Sequence, residues 1–324
     1  MNSNGYSLPY AENLDINSFA RLFDDKATSY KLIFFYSILE ILRKNFFDSS
    51  KAIALQDVNV EMLVHAWYPH TVFGLSFGYQ DTIADKLDAL RIKLEKPLLE
   101  VTQNDKQVLR EIISSEMESE NYQINKHRDL RRYVPFRLIR PFFPETRGIK
   151  DSQVKKEVAR LSRDLFCSRK PLYKISEDFE NIYFHPDWSN YLQQNYQIVH
   201  GWTVWNWMSY MQGRNPNTPG IANKIFPPLE EREPLSEQRR YWRSILEGAE
   251  IECIYSEQAV TAKNFSLDHF LPWSFVAHNS LWNLVPIPSS VNSSKSNRIP
   301  DLVYLDRFIQ IQHHGILEAR KKMP

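Results

Sequence analysis

The apolar positions in the first third of the chain recur at the spacing of an amphipathic helix. Between Phe19 and Phe47 they fall on one face, and Asp24–Asp25 or Thr28–Ser29 are places where the helix can break. Three further stretches share this period, and each opens near an Asp or Asn that can cap a helix: residues 57–67, 81–94 and 104–118. The pattern predicts a mostly helical N-terminal region.

The middle of the chain has a less regular pattern. Residues 131–144 alternate apolar and basic side chains and contain three prolines, which predicts a short strand or an extended segment. A basic helix is predicted over residues 154–166, and an aromatic-rich helical stretch over residues 188–211. Residues 216–235 are rich in proline and are the best candidate for a linker.

The pattern changes again after this linker. Two short apolar strands are predicted, followed by a polar helix or turn, over residues 250–255, 265–270 and 288–295. We therefore predict a helical region over 1–215 and a separate module over 236–324 with its core at 250–301. The expected fold class is mainly α with a small α+β module.

Composition and cysteine content restrict the class of protein. Hydrophobic residues make up 43% of the chain and charged residues 24%, which is typical of a globular protein. No apolar run reaches about 18 residues and the N-terminus is polar, so neither a membrane span nor a signal peptide is expected. Cys167 and Cys253 are the two cysteines. They suggest a reducing, cytoplasmic location and are too few for a structural zinc site.

The charge is unevenly distributed although the net charge is only +1. Between Lys126 and Lys174 there are fifteen Lys or Arg residues against five Asp or Glu. Such a block is a candidate phosphate-contacting surface, and a solvated surface without a partner is the alternative.

The residue types needed for phosphodiester hydrolysis are concentrated in the C-terminal module. This reaction needs a base that activates water, a cation that offsets charge on the phosphate, and a group that orients the base. His269, at the end of a predicted strand, suits the base. Asp268 and Asn292 carry the oxygen ligands that Mg²⁺ prefers. Asn283 can hold a loop or orient the imidazole, and Lys295 can contact phosphate.

The spacing of these residues resembles a known family. Residues 268–275 have the form Asp-His-x-x-Pro-x-Ser-Phe; an Asn follows the His by fourteen residues, a second Asn comes nine later, and a Lys three after that. This pattern resembles the HNH (ββα-metal) endonucleases. It is most similar to the HNH domain of the CRISPR RNA-guided DNA nuclease, in which the last His is likewise an Asn.

The resemblance implies a role for each residue in the pattern. His269 would be the general base, Asp268 and Asn292 would bind one catalytic Mg²⁺ or Mn²⁺ ion, and Asn283 would be the structural middle Asn. Many family members also have Cys-x-x-Cys pairs around a zinc ion, but this chain has Cys253-x-x-Ser256 in the first position. It therefore resembles a zinc-free variant, braced by packing of aromatic and aliphatic side chains: Trp273, Phe275, Trp282 and Leu284.

The sequence therefore favours a metal-dependent endonuclease acting on DNA. An RNase using the same site is an alternative, and so is a non-catalytic nucleic-acid- or partner-binding protein that retains the ββα fold. Five arginines of the basic block become candidate phosphate contacts: Arg131, Arg132, Arg137, Arg140 and Arg147. The N-terminal region is expected to bind DNA or a regulatory partner. By analogy alone, bacterial restriction or phage defence is the expected setting.

Overall fold

The computed structural model divides the chain into two compact units, residues 1–225 and 226–324. It describes residues 8–90, 105–118, 132–226, 234–276, 278–295 and 298–322. The protein is mainly helical with a few small sheets, which confirms the predicted fold class. Within these ranges, no helix combines the length and the apolar character that a membrane crossing requires.

The first unit is built from a π-helical turn at Tyr68–Val72 and eleven described α-helices. They are α1 (Ile16–Ala20), α2 (Tyr30–Lys44), α3 (Leu55–Trp67), α4 (Ile83–Leu90), α5 (Asp105–Glu118), α6 (Val134–Leu138), α7 (Asp151–Asp164), α8 (Phe166–Arg169), α9 (Pro186–Gln194), α10 (Tyr196–Arg214) and α11 (Ile221–Ile225). The predicted break between Phe19 and Phe47 therefore exists, between α1 and α2. Helix α11 lies inside the segment predicted as a linker.

A small antiparallel sheet completes this unit. Its strands β1 (Ile53–Ala54), β2 (Tyr173–Ile175) and β3 (Asn181–Phe184) have the order β1-β3-β2. In the register, Ile182 of β3 lies opposite Ile53 on one side and Ile175 on the other. All three isoleucines are buried, so the central strand joins the sheet to the helical core.

Aromatic packing holds the helices of the first unit together. Phe19 of α1 lies 4.8 Å from the ring of Trp188, and Phe23 stacks on Trp202 at 4.5 Å. Such pairs add stabilisation beyond the area that they bury. Trp207 is also buried, whereas Trp205 on the same helix is 54% exposed. The cluster of tryptophans in the sequence therefore contributes to the core only in part.

The prediction for residues 131–144 was wrong. Residues 134–138 form helix α6, and two 3-10 turns follow at Arg140–Phe142 and Pro144–Thr146. In each of the three elements a proline occupies one of the first two positions, where its missing N–H has no helical partner to lose. The alternation of apolar and basic residues arises because the short helix and turns bury the apolar side chains; it does not indicate a strand.

A buried polar cluster lies where α2, α3 and α5 meet. The Glu61 carboxylate accepts hydrogen bonds from Lys44 at 2.9 Å and from Arg110. Burial opposes the ionised form, but these two cations and His65 more than offset it and lower the pKa of Glu61 to about 2. Burial, aided by the charge of Lys106, lowers the pKa of His65 to about 3.

This cluster predicts a loss of stability on acidification. Between pH 6.5 and 3 an unfolded His65 binds a proton that the folded protein does not, so the free energy of unfolding falls as the pH falls. Below pH 4.5 Glu61 acts in the same direction. The expected loss is on the order of a few kcal/mol, measured by helical circular dichroism melts from pH 7 to pH 4.

The variant His65→Gln isolates the contribution of this residue. Its melting temperature should vary less with pH than that of the wild type. His185 and His200, whose pKa values burial also lowers, remain in both proteins. Equal pH dependence of the two proteins would contradict the assignment.

The second unit contains four helices and two strand pairs. The helices are α12 (Ser236–Leu246), α13 (Trp273–Val276), α14 (Ser289–Lys295) and α15 (Leu305–Lys321), and the strands are β4 (Ile251–Glu252), β5 (Ala259–Val260), β6 (Ser266–His269) and β7 (Leu284–Ile287). Strands β4 and β5 pair antiparallel, as do β6 and β7. The sequence pattern did not predict β7 or α15.

Helices α12 and α15 cover the strands of this unit. Trp242 of α12 is fully buried, and Phe308 of α15 stacks on Phe270, just after β6, at 4.1 Å. Gly315 permits the close approach of the two helices, because an added Cβ would lie 3.0 Å from the Trp242 ring. The core therefore depends on helices that flank the predicted 250–301 segment on both sides.

Candidate active site

Strands β6 and β7 position the two central polar residues of the module. In their register Asp268 lies opposite Val285, and His269 lies opposite Leu284. Adjacent residues of a strand point to opposite faces. Asp268 is accordingly buried, with 3% of its surface exposed, whereas His269 at the strand end is half-buried.

The Asp268 carboxylate is held by two donors inside the module. Its Oδ1 accepts a hydrogen bond from Lys295 Nζ at 3.0 Å, and its Oδ2 accepts one from the Tyr255 hydroxyl at 3.0 Å. Burial raises the pKa of Asp268, and the neighbouring Lys295 charge and the two hydrogen bonds oppose that rise. The same burial, together with the carboxylate, raises the pKa of Tyr255. The tyrosine therefore remains a proton donor to this carboxylate.

Lys295 connects α14 to the end of β6. Besides Asp268, its ammonium donates to the main-chain oxygen of His269 at 2.8 Å, and the side chain is 8% exposed. Because both acceptors belong to β6, the Lys295 ammonium holds the end of this strand in place. The contact to phosphate expected from the sequence stays a prediction.

The imidazole of His269 is oriented by a residue that the sequence did not reveal. Its Nε2 lies 3.0 Å from the Asn279 side-chain oxygen. Since a carboxamide oxygen accepts hydrogen bonds, Nε2 is the donor in this contact, and in the neutral imidazole Nδ1 is then the basic nitrogen. This tautomer suits Nδ1 to take a proton from another molecule.

Asn279 and Tyr255 were both missed, for different reasons. Asn279 lies ten residues after His269, within an irregular loop where no periodicity constrains its side chain. Tyr255 follows a strand of two residues that pairs with a different strand, so its contact with Asp268 depends on tertiary packing. In the sequence both residues stand out only as polar side chains near the Asp268–His269 pair. Such side chains are too common to indicate a contact.

Asn283 holds the chain that follows β6. It is fully buried; its side-chain oxygen accepts from Leu271 N at 2.9 Å, and its side-chain nitrogen donates to Leu271 O at 2.8 Å. The main chain adds a hydrogen bond from Phe270 N to Asn283 O at 2.8 Å. Of the two roles considered from the sequence, these contacts match that of holding the loop.

We expect Asn283→Ala to destabilise the second unit by about 2–4 kcal/mol, because two partly buried main-chain groups of Leu271 lose their partners and the fully buried Asn283 side chain leaves a gap. Hydrogen exchange of the β6 and β7 amides in the full chain measures this loss. Asn190→Ala, at an exposed helical position, is the control and should leave that exchange unchanged. Unaltered exchange in the Asn283 variant would show that the loop has another support.

The pair Asp268 and Asn292 has the donor chemistry of a site for a hard cation. Asn292 is half-buried on α14, which packs against β6. Mg²⁺ accepts carboxylate and amide oxygens, and it commonly takes one or two protein ligands with phosphate oxygens and water. Among the described residues, no three His, Cys, Asp or Glu side chains are grouped so that they could hold a metal. The oxygens of Asp268 and Asn292 are of the kind that Mg²⁺ accepts, and a metal site at this pair stays a prediction.

The candidate phosphate-contacting arginines differ in their surroundings. Arg132 and Arg147 are exposed, and Arg132 lies over the Tyr133 ring at 5.1 Å. Arg137 pairs with Asp151 at 3.0 Å. Arg140 donates to the main-chain oxygen of Thr146 at 2.6 Å, which closes the local turns. Arg131 lies outside the described residues.

The bracing predicted for a zinc-free module was right for one residue and wrong for another. Leu284 is fully buried, but Trp282 is 51% exposed, beside the His278 ring at 5.3 Å. Trp273 is half-buried, and the side chain of Phe275 lies outside the described residues. The hydrophobic core instead draws on both covering helices and on buried Cys253. Trp282 was misplaced because a tryptophan in an apolar segment is usually buried, whereas in this 3-10 turn Asn283 is the residue that points inward.

Comparison with known proteins assigns this module to a class. Residues 253–301 match the family model of the HNH endonucleases. The matched segment contains both strands β6 and β7, helix α14 and every polar residue of the site. No curated protein and no solved structure matches the chain. The C-terminal region thus carries an HNH endonuclease domain, which indicates a nuclease.

Proposed function

We propose that the chain is a metal-dependent endonuclease that hydrolyses phosphodiester bonds in DNA, with His269 as the general base. The observation that carries this proposal is the position of the His269 ring. It lies at the end of β6, is half-buried, and is held through Nε2 by the Asn279 side-chain oxygen. The match of residues 253–301 to HNH endonucleases supports the same class.

The proposed reaction begins with proton transfer to His269. Nδ1 takes a proton from a water molecule as that water attacks the phosphorus atom. The imidazolium that forms is stabilised by its hydrogen bond to the Asn279 oxygen. Asp268 and Asn292 would hold one Mg²⁺ or Mn²⁺ ion, which supplies the positive charge that offsets charge on the phosphate and the departing oxygen.

The buried ion pair is compatible with this ligand role. Each carboxylate oxygen has two lone pairs, so Asp268 can keep its bonds to Lys295 and Tyr255 and still offer a ligand. Lys295 fixes the carboxylate and the strand end, and Asn283 fixes the loop that follows. In this proposal both are positioning residues, and His269 is the catalytic residue.

A cleavage assay tests the proposal. Purified full-length protein is incubated with supercoiled plasmid, linear duplex, single-stranded DNA and a matched RNA, with Mg²⁺, with Mn²⁺ and with a chelator. Nicking or cutting of DNA with metal and none with the chelator is the expected result. Cleavage of RNA alone would identify the RNase alternative. Binding without cleavage under every condition would favour a non-catalytic nucleic-acid-binding protein.

The exposed arginines of the basic block are proposed to contact the DNA backbone. Removing Arg132 and Arg147 together by alanine substitution should weaken DNA binding equally for all sequences. The slope of log affinity against log salt should fall by about 1–2, since each phosphate contact contributes about 0.9. Fluorescence anisotropy titrations at about 50 to 200 mM salt measure this slope.

Arg240→Ala is the matched control for this prediction. Arg240 is exposed in the second unit and pairs with Glu237 at 3.3 Å. Its removal should leave the salt slope unchanged. An unchanged slope in the double arginine variant would remove the basic block from the proposed interface.

By analogy, the proposed biological setting is restriction or phage defence in the cytoplasm. A regulatory partner is also proposed for the N-terminal region.

A further inference from the structure

The first turn of α12 contacts the loop that holds the His269 ring. The Gln238 side-chain nitrogen donates a hydrogen bond to the main-chain oxygen of Asn279 at 3.2 Å. Since a main-chain oxygen only accepts, the nitrogen end of the Gln238 carboxamide must face the loop. Asn279 in turn accepts from His269 Nε2 through its side-chain oxygen at 3.0 Å. Two hydrogen bonds therefore connect α12, through one asparagine, to the imidazole.

Helix α12 is attached to the core of the second unit. Trp242 and Ile245 lie four and seven residues after Gln238, so the three share one face of the helix, and both are buried. The neighbouring Arg239 donates to the main-chain oxygen of Phe265, just before β6, at 3.2 Å. Gln238 therefore reaches the loop from an element whose position is determined by the core.

The loop has little apolar anchorage on the side that faces α12. Ser280 is exposed, and Leu281 and Trp282 are 39% and 51% exposed. A cavity of about 420 Å³ is lined by both Gln238 and Leu281, so side chains do not fill the space next to this contact. A segment with few buried apolar contacts opens easily. The hydrogen bond from Gln238 therefore contributes strongly to the position of Asn279.

We propose that Gln238 is a positioning residue for the general base and acts on His269 through Asn279. Its role in catalysis rests on the proposed function, whereas its effect on the ring does not. With the donor in place, the Asn279 oxygen stays where Nε2 can donate to it, so Nδ1 is the basic nitrogen of the neutral ring. Without the donor the asparagine moves, and the proton occupies either nitrogen. Gln238 lies outside residues 253–301, the segment that matches the family model.

Two substitutions remove the donor and keep the approximate size of the side chain. Gln238→Met is neutral, and Gln238→Glu places a carboxylate, which only accepts, against the Asn279 oxygen. Glutamate is favourable in the first turn of a helix, so the second variant should keep α12 intact. The same two substitutions at Gln310, an exposed residue of α15, are the controls. Circular dichroism should show the same helix content in all four variants.

The first measurement is ¹⁵N NMR of the full chain with labelled histidines, without metal, at about pH 8, where an ordinary histidine is neutral. The His269 signals are those missing from His269→Ala. In the wild type and both Gln310 variants the proton should lie on Nε2. In both Gln238 variants each ring nitrogen should carry it for part of the time. A wild-type tautomer retained in both Gln238 variants would overturn the proposal, whether or not the protein cleaves DNA.

Plasmid nicking with Mg²⁺ or Mn²⁺ is the second measurement. In both Gln238 variants kcat should fall about tenfold, the factor that corresponds to one hydrogen bond, while KM changes little. The Gln310 variants should match the wild type. An unchanged kcat in variants that have lost the tautomer, or a rise in KM alone, would overturn the positioning role. A wild type that cleaves nothing would contradict the proposed function instead, and the NMR comparison would still decide whether Gln238 orients the ring.

Discussion

Replacing His269 with alanine should lower the rate of plasmid cleavage by about 10²–10⁴, the contribution usual for a general base. The loss should appear in kcat, because the imidazole acts on the attacking water and does not bind the substrate. The fold should persist: His269 is half-buried, and the β6–β7 pairing uses its main chain, not its ring. Nicked-circle formation with Mg²⁺ or Mn²⁺ measures the rate, and the circular dichroism spectrum checks the fold.

The control for this variant is His70→Ala. His70 is half-buried in the first unit and pairs with Asp88 at 2.9 Å. It has no part in the proposed site, so its removal should leave cleavage unchanged. Undiminished cleavage by the His269 variant would refute the assignment of the base. Loss of DNA binding in parallel with cleavage would point to a binding role instead.

Replacing Lys295 with methionine should destabilise the second unit by about 3 kcal/mol. The substitution removes one member of a buried ion pair and leaves the Asp268 carboxylate without its charge partner. The main-chain oxygen of His269 loses a donor as well. Hydrogen exchange of the β6 and β7 amides should therefore accelerate about a hundredfold, the factor that corresponds to this loss.

Two further variants show whether the charge is the cause. Lys263→Met, at an exposed position of the same unit, should leave exchange unchanged. The double variant Asp268→Asn with Lys295→Met removes both charges and should recover much of the stability, because no unpaired charge remains buried. Equal exchange in Lys295→Met and the wild type would mean that the pair contributes nothing to the module. A double variant as unstable as the single one would assign the loss to packing.

Much of the helical architecture was predictable from local pattern. Helices α3, α5 and α7 each lie within three residues of the predicted bounds, since apolar spacing and capping residues act within one turn. The break between α1 and α2 was placed correctly for the same reason. Residues 131–144 were not, because an alternation of apolar and basic residues fits a strand and also a series of short turns.

The second unit shows where local pattern stops being sufficient. Strand β7 contains Pro286 and follows a 3-10 turn, and both features argue against a strand in isolation. Strand β7 forms because it pairs with β6 over four consecutive residues, and all four residues of β7 are buried in this register. Helix α15 buries Phe308 but exposes Ile309 and Ile316, so its apolar pattern indicates no single buried face.

The sequence by itself determined the chemistry at residues 268, 269, 283, 292 and 295, because side-chain type and spacing are properties of the chain alone. Only the tertiary structure decided how those groups are used. In the folded chain Lys295 forms an ion pair with Asp268, the His269 ring forms a hydrogen bond with Asn279, and the Asn283 side chain forms one with the main chain of Leu271. Each of these contacts joins side chains or backbone groups ten or more residues apart, and a hydrogen bond depends on distances that no local pattern specifies.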